Sequence, residues 1–383
     1  MKRARRRVLM GVYHVLAYDG RVLRASKALA ETCDLIVVGR ASHVKCENLP
    51  FDVRNVRLPR FRGLGPVRLL LFWIAFVWQA IRTRPEAIYA CDFPMLLPGW
   101  LASRIVRAKL VYDAHELIVP DQGRFRSLDH RIFYYIERLL VGRADLVIAA
   151  NDARAAIMQT QYHLLRRPTA IYNIPPCLPE MQEHSADRND RLLPASGRIR
   201  LLYQGTMHLI REIDLFIRVL PYLGEQYELV MVGDGSHLDR LKEIAEEEGV
   251  ASRVMFLGRV PNQDLLGITR QCSIGIISYS FANPNQRHCA PNKVYEYAQA
   301  GIPVVATGQD TLRALVGDSG IGVVLSRGDT VDETLEKYAE GIRHVAHHRE
   351  QFIACIPDFL KKNNWDVEKA KLKKCFEELF YGE

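Results

Sequence analysis

The chain has 383 residues and a mass of 43.7 kDa, enough for two or three domains that each bury a full core. Hydrophobic residues make up 48% and charged residues 25%, which excludes a disordered chain, a collagen and a coiled coil. The net charge is +8, but Lys2, Arg3, Arg5, Arg6 and Arg7 supply five of it; the body carries only +3, which argues against a nucleic-acid binder.

The N-terminal basic run reads either as a weak tether to anionic lipid or as a solvated tail. The apolar stretch after it, 8–12, is too short for a signal-peptide core. From there apolar runs alternate with helical stretches. The runs are 8–13, 35–39, 87–91, 110–113, 146–150 and 170–173; the helical stretches are 21–32, 67–81, 95–106, 128–141 and 151–161. Continuous apolar strands between helices mean a parallel sheet covered on both faces. The stretch 67–80 is apolar almost all the way round and carries Arg68 and Gln79. It is too short to span a bilayer and is expected as a buried core helix. The alternative is that one flank, with Trp73 or Trp78 at headgroup depth, rests on the cytoplasmic leaflet.

Periodicity stops at 174–198, where four prolines and a cluster of charges read as a linker. Alternation then resumes, with strands expected at 199–204, 227–232, 254–257, 274–279, 303–307 and 322–325. In the helix expected at 237–248, Leu238, Leu241, Ile244 and Ala245 form one stripe. The fold class is therefore α/β: two doubly wound, Rossmann-like domains, 1–175 and 199–365, joined by a linker at 176–198. Ligands in such sheets bind beyond the carboxyl ends of the strands, so the site is expected in the cleft between the domains. The eight cysteines form no Cys-x-x-Cys pair, which indicates buried thiols in a reducing, cytoplasmic compartment and no zinc site.

Gly233-Asp234-Gly235-Ser236 follows a strand and opens a helix. Leu238 replaces the third glycine of a dinucleotide fingerprint, so a tight turn remains whose N–H groups can face a phosphate or a sugar. His115-Glu116 is no zincin motif, because Val119 stands four residues on. No Walker A sequence is present. The richest segment is PNKVYEYAQAGIPVV, 291–305. It opens with a proline, continues as a helix to Gly301 and enters a buried strand. Lys293 and the N–H groups of the helix start form an anion site. Glu296, three residues on, can accept hydroxyl hydrogen bonds. The plain alternative is a capped helix with a surface Lys–Glu pair.

With these residues in view, the chain resembles the GT-B glycosyltransferases, specifically the large retaining family 4, over nearly its whole length. The 18–24 segment YDGRVLR resembles the loop and helix that open the acceptor side, with Asp19 and Arg21 in it. VYDAHE at 111–116 is similar to the family's D-x-H strand end. Tyr203-Gln204-Gly205-Thr206 through Arg211 resembles the first loop of the donor domain, and Val232-Gly233-Asp234-Gly235 and VMFLG at 254–258 match two further strands. The helix after Trp365, 366–383, looks like the family's C-terminal helix, which packs back on the first domain.

The resemblance implies transfer of a sugar, hexosyl in type, from a nucleotide diphosphate sugar with UDP or GDP. Configuration is retained, no metal or other cofactor is used, and the departing phosphate oxygen takes the acceptor proton. It implies His115, Arg211 and Lys293 as catalytic residues. Gly205, Thr206, Gly233, Gly235, Arg259, His288, Asn292 and Glu296 would bind the donor, and Asp19 and Arg21 lie on the acceptor side. The acceptor is a glycan or a lipid-linked glycan of cell-surface polysaccharide synthesis. The partners implied are that donor, that acceptor and an anionic membrane surface, with a location at the inner face of the membrane; nucleic acid is not one. The chain departs from the family at His288, where a Glu is common, at Thr206, where an Arg is usual, and at Glu212, where a Gly is usual. Arg211 then meets more of the phosphate charge, with His208 as a neutral helper. A nucleotide-sugar epimerase of the same fold, or a non-catalytic sugar-nucleotide-binding partner, fits the same motifs.

Overall fold

The computed structural model describes residues 5–41, 48–59, 65–125, 127–176 and 193–382. Lys2, Arg3, Cys46, Cys177, Arg60, Arg62 and most of the expected linker lie outside the described residues. Contacts divide the chain into two units, Met1–Asn173 with Asp366–Glu383, and Ile174–Trp365.

In the first unit the described strands are β1 Arg7–Val12, β2 Asp34–Arg40, β3 Asp52–Val56, β4 Ala87–Cys91, β5 Lys109–Ala114, β6 Leu146–Ala149 and β7 Thr169–Ala170. They pair in parallel in the order β3-β2-β1-β4-β5-β6-β7. The second unit has β8 Ile199–Gln204, β9 Tyr227–Val232, β10 Val254–Gly258, β11 Ile274–Ile277, β12 Val304–Ala306 and β13 Gly322–Val324, in the order β10-β9-β8-β11-β12-β13. Strand order reverses at β1/β4 and at β8/β11, the switch points where doubly wound sheets hold ligands. The expected α/β fold holds for both units.

The central strands are buried on both faces, as their unbroken Val, Ile and Leu runs require. A charge inside such a strand needs a partner. Glu228 of β9 is buried and meets Arg200 of β8 at 2.6 Å. Strand β3 was not expected. Its sequence DVRNV is polar and half-exposed at the sheet edge, so it lacks the apolar run of its neighbours.

The first unit's helices are α1 Gly20–Ala30, α2 Gly65–Thr83, α3 Phe93–Val106, α4 Leu128–Leu140 and α5 Asp152–Tyr162. Asp19, Ser127 and Asn151 cap α1, α4 and α5 through side-chain oxygens that accept backbone N–H bonds. The helix Trp365–Tyr381 packs on this unit: Phe376 stacks on Tyr89, and Glu368 accepts the Tyr172 amide at 2.9 Å. Two expectations about α2 are corrected. It runs for 19 residues, long and apolar enough by length and composition to cross a membrane. It is also not a buried core helix, because only Phe72, Phe76, Ala80 and Thr83 are buried.

Candidate functional site

In the second unit the loops after β8 and β9 touch backbone to backbone. The Gly205 amide donates to the Val232 carbonyl at 2.8 Å. A Cβ on Gly233, at φ +137°, would lie 1.9 Å from the Gly205 oxygen, so only glycine fits. Gly205 has φ +141°, and a Cβ there would lie 2.6 Å from Lys293 Cε. The lysine therefore lies directly over the glycine loop. Lys293 and Glu296 come from the helix Lys293–Gln299. Together with Gly205, Thr206, Gly233 and Arg259 they line a cavity of about 340 Å³. Gln204, the last residue of β8, holds Glu296 in place: its side-chain amide donates to the carboxylate, and its oxygen accepts from Thr269 Oγ1 at 3.2 Å.

Arg211 ends a short turn, and its guanidinium lies 4.9 Å over the Tyr279 ring. Its Nη1 donates to the Tyr279 phenol at 3.3 Å. The backbone of Tyr279 is fixed in turn, since its N–H donates to Thr307 Oγ1 and its carbonyl accepts from Gln309 Nε2. Burial opposes the charge on Arg211, but Tyr279 and Tyr203 outweigh it and its pKa is raised. Lys293 fares differently. Burial, and then the charge of Arg211, push its pKa down to about 8 against a weaker pull from Glu296. Among the described residues neither cation sits in an ion pair. Lys293 and Arg211 therefore stand close enough at the end of β8 for one charge to depress the other, with Glu296 offsetting it only in part, which suits an incoming anion.

The first unit has a second polar cluster at the carboxyl end of β5. Asp113 is buried and accepts from Arg21 through Nε at 3.1 Å and Nη2 at 2.6 Å. The Tyr89 hydroxyl donates to it at 2.8 Å. His115 Nε2 lies 3.3 Å from the same carboxylate, and its Nδ1 lies 4.0 Å from Asp19. Burial raises the Asp113 pKa, but Arg21 and His115 outweigh it and hold the carboxyl well below the usual range. For His115 burial works against the proton, and Asp113 overcomes it to raise the pKa. Asp92, between β4 and α3, is buried at φ +65° and accepts the Glu116 amide at 3.3 Å. A non-glycine residue there is strained, and the hydrogen bond to Glu116 links this strained position to the residue after His115.

Residues 18–173 match the family model described as a glycosyl transferase 4-like domain, and residues 198–345 match that of the glycosyl transferases group 1. The chain belongs to this glycosyltransferase family. The curated relatives it resembles include a 2-deoxystreptamine N-acetyl-D-glucosaminyltransferase of Streptomyces fradiae, 25% identical over 83% of this chain and 79% of that one. Another is a D-inositol 3-phosphate glycosyltransferase of Corynebacterium jeikeium, 24% identical over 73% and 69%. Solved GT-B structures share the fold. HepE of Anabaena, crystallised with UDP and glucose, aligns with a TM-score of 0.77 at 18% identity over 97% of this chain and all of that one. Sucrose-phosphate synthase of Thermosynechococcus elongatus aligns at 0.78 and 15% identity over 99% of this chain and all of that one.

The residues expected of this glycosyltransferase are thus only partly brought together. Gly205, Thr206, Gly233, Arg259, Lys293 and Glu296 line one pocket. Arg211 adjoins it through its charge on Lys293. Gly235, His288 and Asn292 are not among the pocket lining. Gly235 packs under the Met207 carbonyl, Asn292 precedes the Lys293–Gln299 helix without a side-chain cap, and His288 ends the short helix Pro284–Arg287. That Lys293–Gln299 helix begins two residues after Pro291 and has only seven residues, so Lys293 and Arg211 supply the positive charge more than a helix dipole does. His208 Nδ1 accepts the Ile210 amide at 3.1 Å and caps the turn that carries Arg211. Glu212 stands where the family has a glycine, and its φ is +55°, the left-handed region that glycine favours. Its carboxylate meets Arg327 at 2.6 Å. Arg21 is buried on Asp113 and on the Ile171 carbonyl, so it holds the carboxylate that His115 also meets. Gln204, Tyr279 and Asp92 were not expected at the sites; Gln204 had a signal, the strand end before Gly205, and the other two had none.

Among the described residues no group of three or more His, Cys, Asp or Glu side chains is placed to hold a metal ion.

Proposed function

We propose that this glycosyltransferase takes its sugar from a nucleotide diphosphate sugar held in the second unit, and passes it, with retention, to a hydroxyl of a glycan or glycolipid in cell-surface polysaccharide synthesis. The observation that carries the donor assignment is Lys293 on a pocket whose floor is the Gly205–Gly233 backbone contact, with Arg211 near enough to depress it and neither cation in an ion pair among the described residues. Charge grows on the leaving phosphate as the sugar bond breaks. Preorganised cations stabilise that state more than the ground state, so these two side chains can meet it without a metal. HepE, with 18% identity and a similar fold, binds UDP and glucose, and a second structure of it holds UDP-glucose, which supports the same donor class here. Glu296, fixed by Gln204, is offered to a ribose or sugar hydroxyl. His115, held between Asp113 and Asp19, is offered to the transferred sugar. A cytoplasmic location, where such donors are made, belongs to this reading.

The test incubates the full chain with UDP- and GDP-sugars and measures free nucleotide and the anomeric configuration of the product. Release of one nucleotide with a retained linkage is expected. A donor sugar epimerised with no acceptor present, or no release from any donor together with no nucleotide binding in calorimetry, overturns it.

A further inference from the structure

The outward face of α2 is apolar along its whole length. Its inward stripe is Phe72, Phe76, Ala80 and Thr83. A Cβ on Gly11 of β1 would lie 2.5 Å from the Phe76 ring and 2.6 Å from Met95 Cε, so α2 and α3 rest on the same face of the sheet. Helix α1 and the Trp365–Tyr381 helix cover the other face, where Ser26 reaches Met10 and Phe376 stacks on Tyr89. On a 3.6-residue period, the stripe of α2 opposite the buried one is Val67, Leu70, Ile74, Trp78 and Ile81. These side chains are 45–58% exposed. A surface helix of a water-facing domain carries its charges there. The only charges on α2, Arg68 and Arg82, sit on the flanks of the stripe, and the Arg82 guanidinium lies 4.6 Å over the Trp78 ring.

The apolar face continues onto its neighbours. Trp73 Nε1 donates to the Pro94 carbonyl and joins α2 to α3, and Phe93 packs on Phe133 to join α3 to α4. Leu101 and Ile105 are exposed on α3. On α4 Leu128, Ile132, Tyr135 and Leu139 are exposed at i, i+4, i+7 and i+11. The rim is basic: Arg104, Arg107, Arg131 and Arg138 are exposed, and Asp129 is the one exposed carboxylate on these three helices.

We propose that this three-helix face is a docking surface for an anionic lipid bilayer, with α2 lying in the plane of the interface. Charge selects the occupant. Two copies of the chain set face to face would oppose arginine to arginine, whereas lipid phosphates pair with them. Geometry selects the depth. A helix of 19 residues is about 28 Å long, near the thickness of a hydrocarbon core. Yet Phe72 and Phe76 are locked into the domain core, so α2 lies on the membrane rather than across it. Trp78, not Trp73, is the headgroup-level anchor, because Trp73 is tied to Pro94.

The experiment is sedimentation of the full chain with vesicles of phosphatidylcholine, with and without phosphatidylglycerol, at low and high salt. The wild-type chain binds the mixed vesicles and loses affinity as salt rises. Ile74→Glu with Trp78→Glu, both outward, lowers binding at least ~10-fold while thermal unfolding is unchanged, since each change puts a carboxylate on the face that enters the lipid. Arg104→Glu with Arg138→Glu, which touches no core residue, weakens binding to the mixed vesicles alone and covers the case in which the first variant misfolds. Absence of wild-type binding at low salt overturns the proposal, as does unchanged binding by both variants. A lipid-free dimer that Ile74→Glu with Trp78→Glu converts to a monomer assigns the face to a second copy instead.

Discussion

Arg21 and Arg211 are both arginines held inside a domain, and they differ in what faces them. Arg21 meets Asp113 through two nitrogens, and the pair is buried with the Tyr89 hydroxyl on the same carboxylate. Its charge is neutralised within the fold. Arg211 meets aromatic faces and phenols, and its nearest charged influence on the pocket is to depress another cation, Lys293. The first arrangement completes a structure, while the second leaves positive charge for something that is not part of the chain. A buried ion pair and a binding site therefore separate on one criterion, whether the charge already has its partner.

The comparison breaks first at Arg21. Arg21→Met leaves Asp113 buried without its cation, and unfolding in denaturant should show a loss of about 3–5 kcal/mol. Lys293→Met and Arg211→Met should lower turnover ~10²-fold or more, about 2.7 kcal/mol of transition-state stabilisation, with little change in the unfolding midpoint. If Lys293→Met unfolds the chain as readily as Arg21→Met does, the two sites are of one kind. The depressed lysine also sets a pH dependence. Lys293 is charged below about pH 8 and neutral above it, so kcat/KM should fall as pH rises through that value. Bound phosphate favours the charged amine, so the limb in kcat should lie higher. Lys293→Arg, still charged above pH 12, should remove the limb from both profiles.

The same contrast marks what the sequence could show. Both doubly wound sheets were legible because buried parallel strands must be apolar throughout, and β4, β8 and β9 have the expected bounds. The edge strand β3 was not, because an exposed edge tolerates Asp, Arg and Asn. Lys293 and Glu296 were legible from their spacing on one helix. Tyr279 was not, since nothing local marks an aromatic at a strand end as a lid on an arginine 68 residues away in the chain. Nor did the composition of α2 separate burial from exposure. An all-apolar helix reads the same whether its second face meets protein or is left open, and only the packing on Gly11 shows which face is covered.

His115 sharpens the comparison within the first unit, because it joins the neutralised cluster but is itself only part-buried. His115→Ala should reduce sugar transfer by ~10-fold or more and leave calorimetric binding of free nucleotide near that of the wild type. Equal loss of both would mark it as a structural histidine.

The smallest effect is expected at Arg259, the exposed counterpart of Lys293 in the same pocket. Its side chain is 82% exposed and its Nε lies 3.2 Å from Asp234. Asp234 also accepts the Gly235 amide at 2.7 Å, so the carboxylate keeps a partner when the arginine is removed. Water screens a charge at this exposure, and pairs of this kind are worth about 0.2–1 kcal/mol. Arg259→Ala should therefore weaken nucleotide binding by no more than ~5-fold, with the deficit shrinking as salt is raised. A loss comparable to that of Lys293→Met would mean that Arg259 leaves Asp234 and closes on the donor. In that case the charge now spent on Asp234 would count with the pocket cations rather than with the surface pairs.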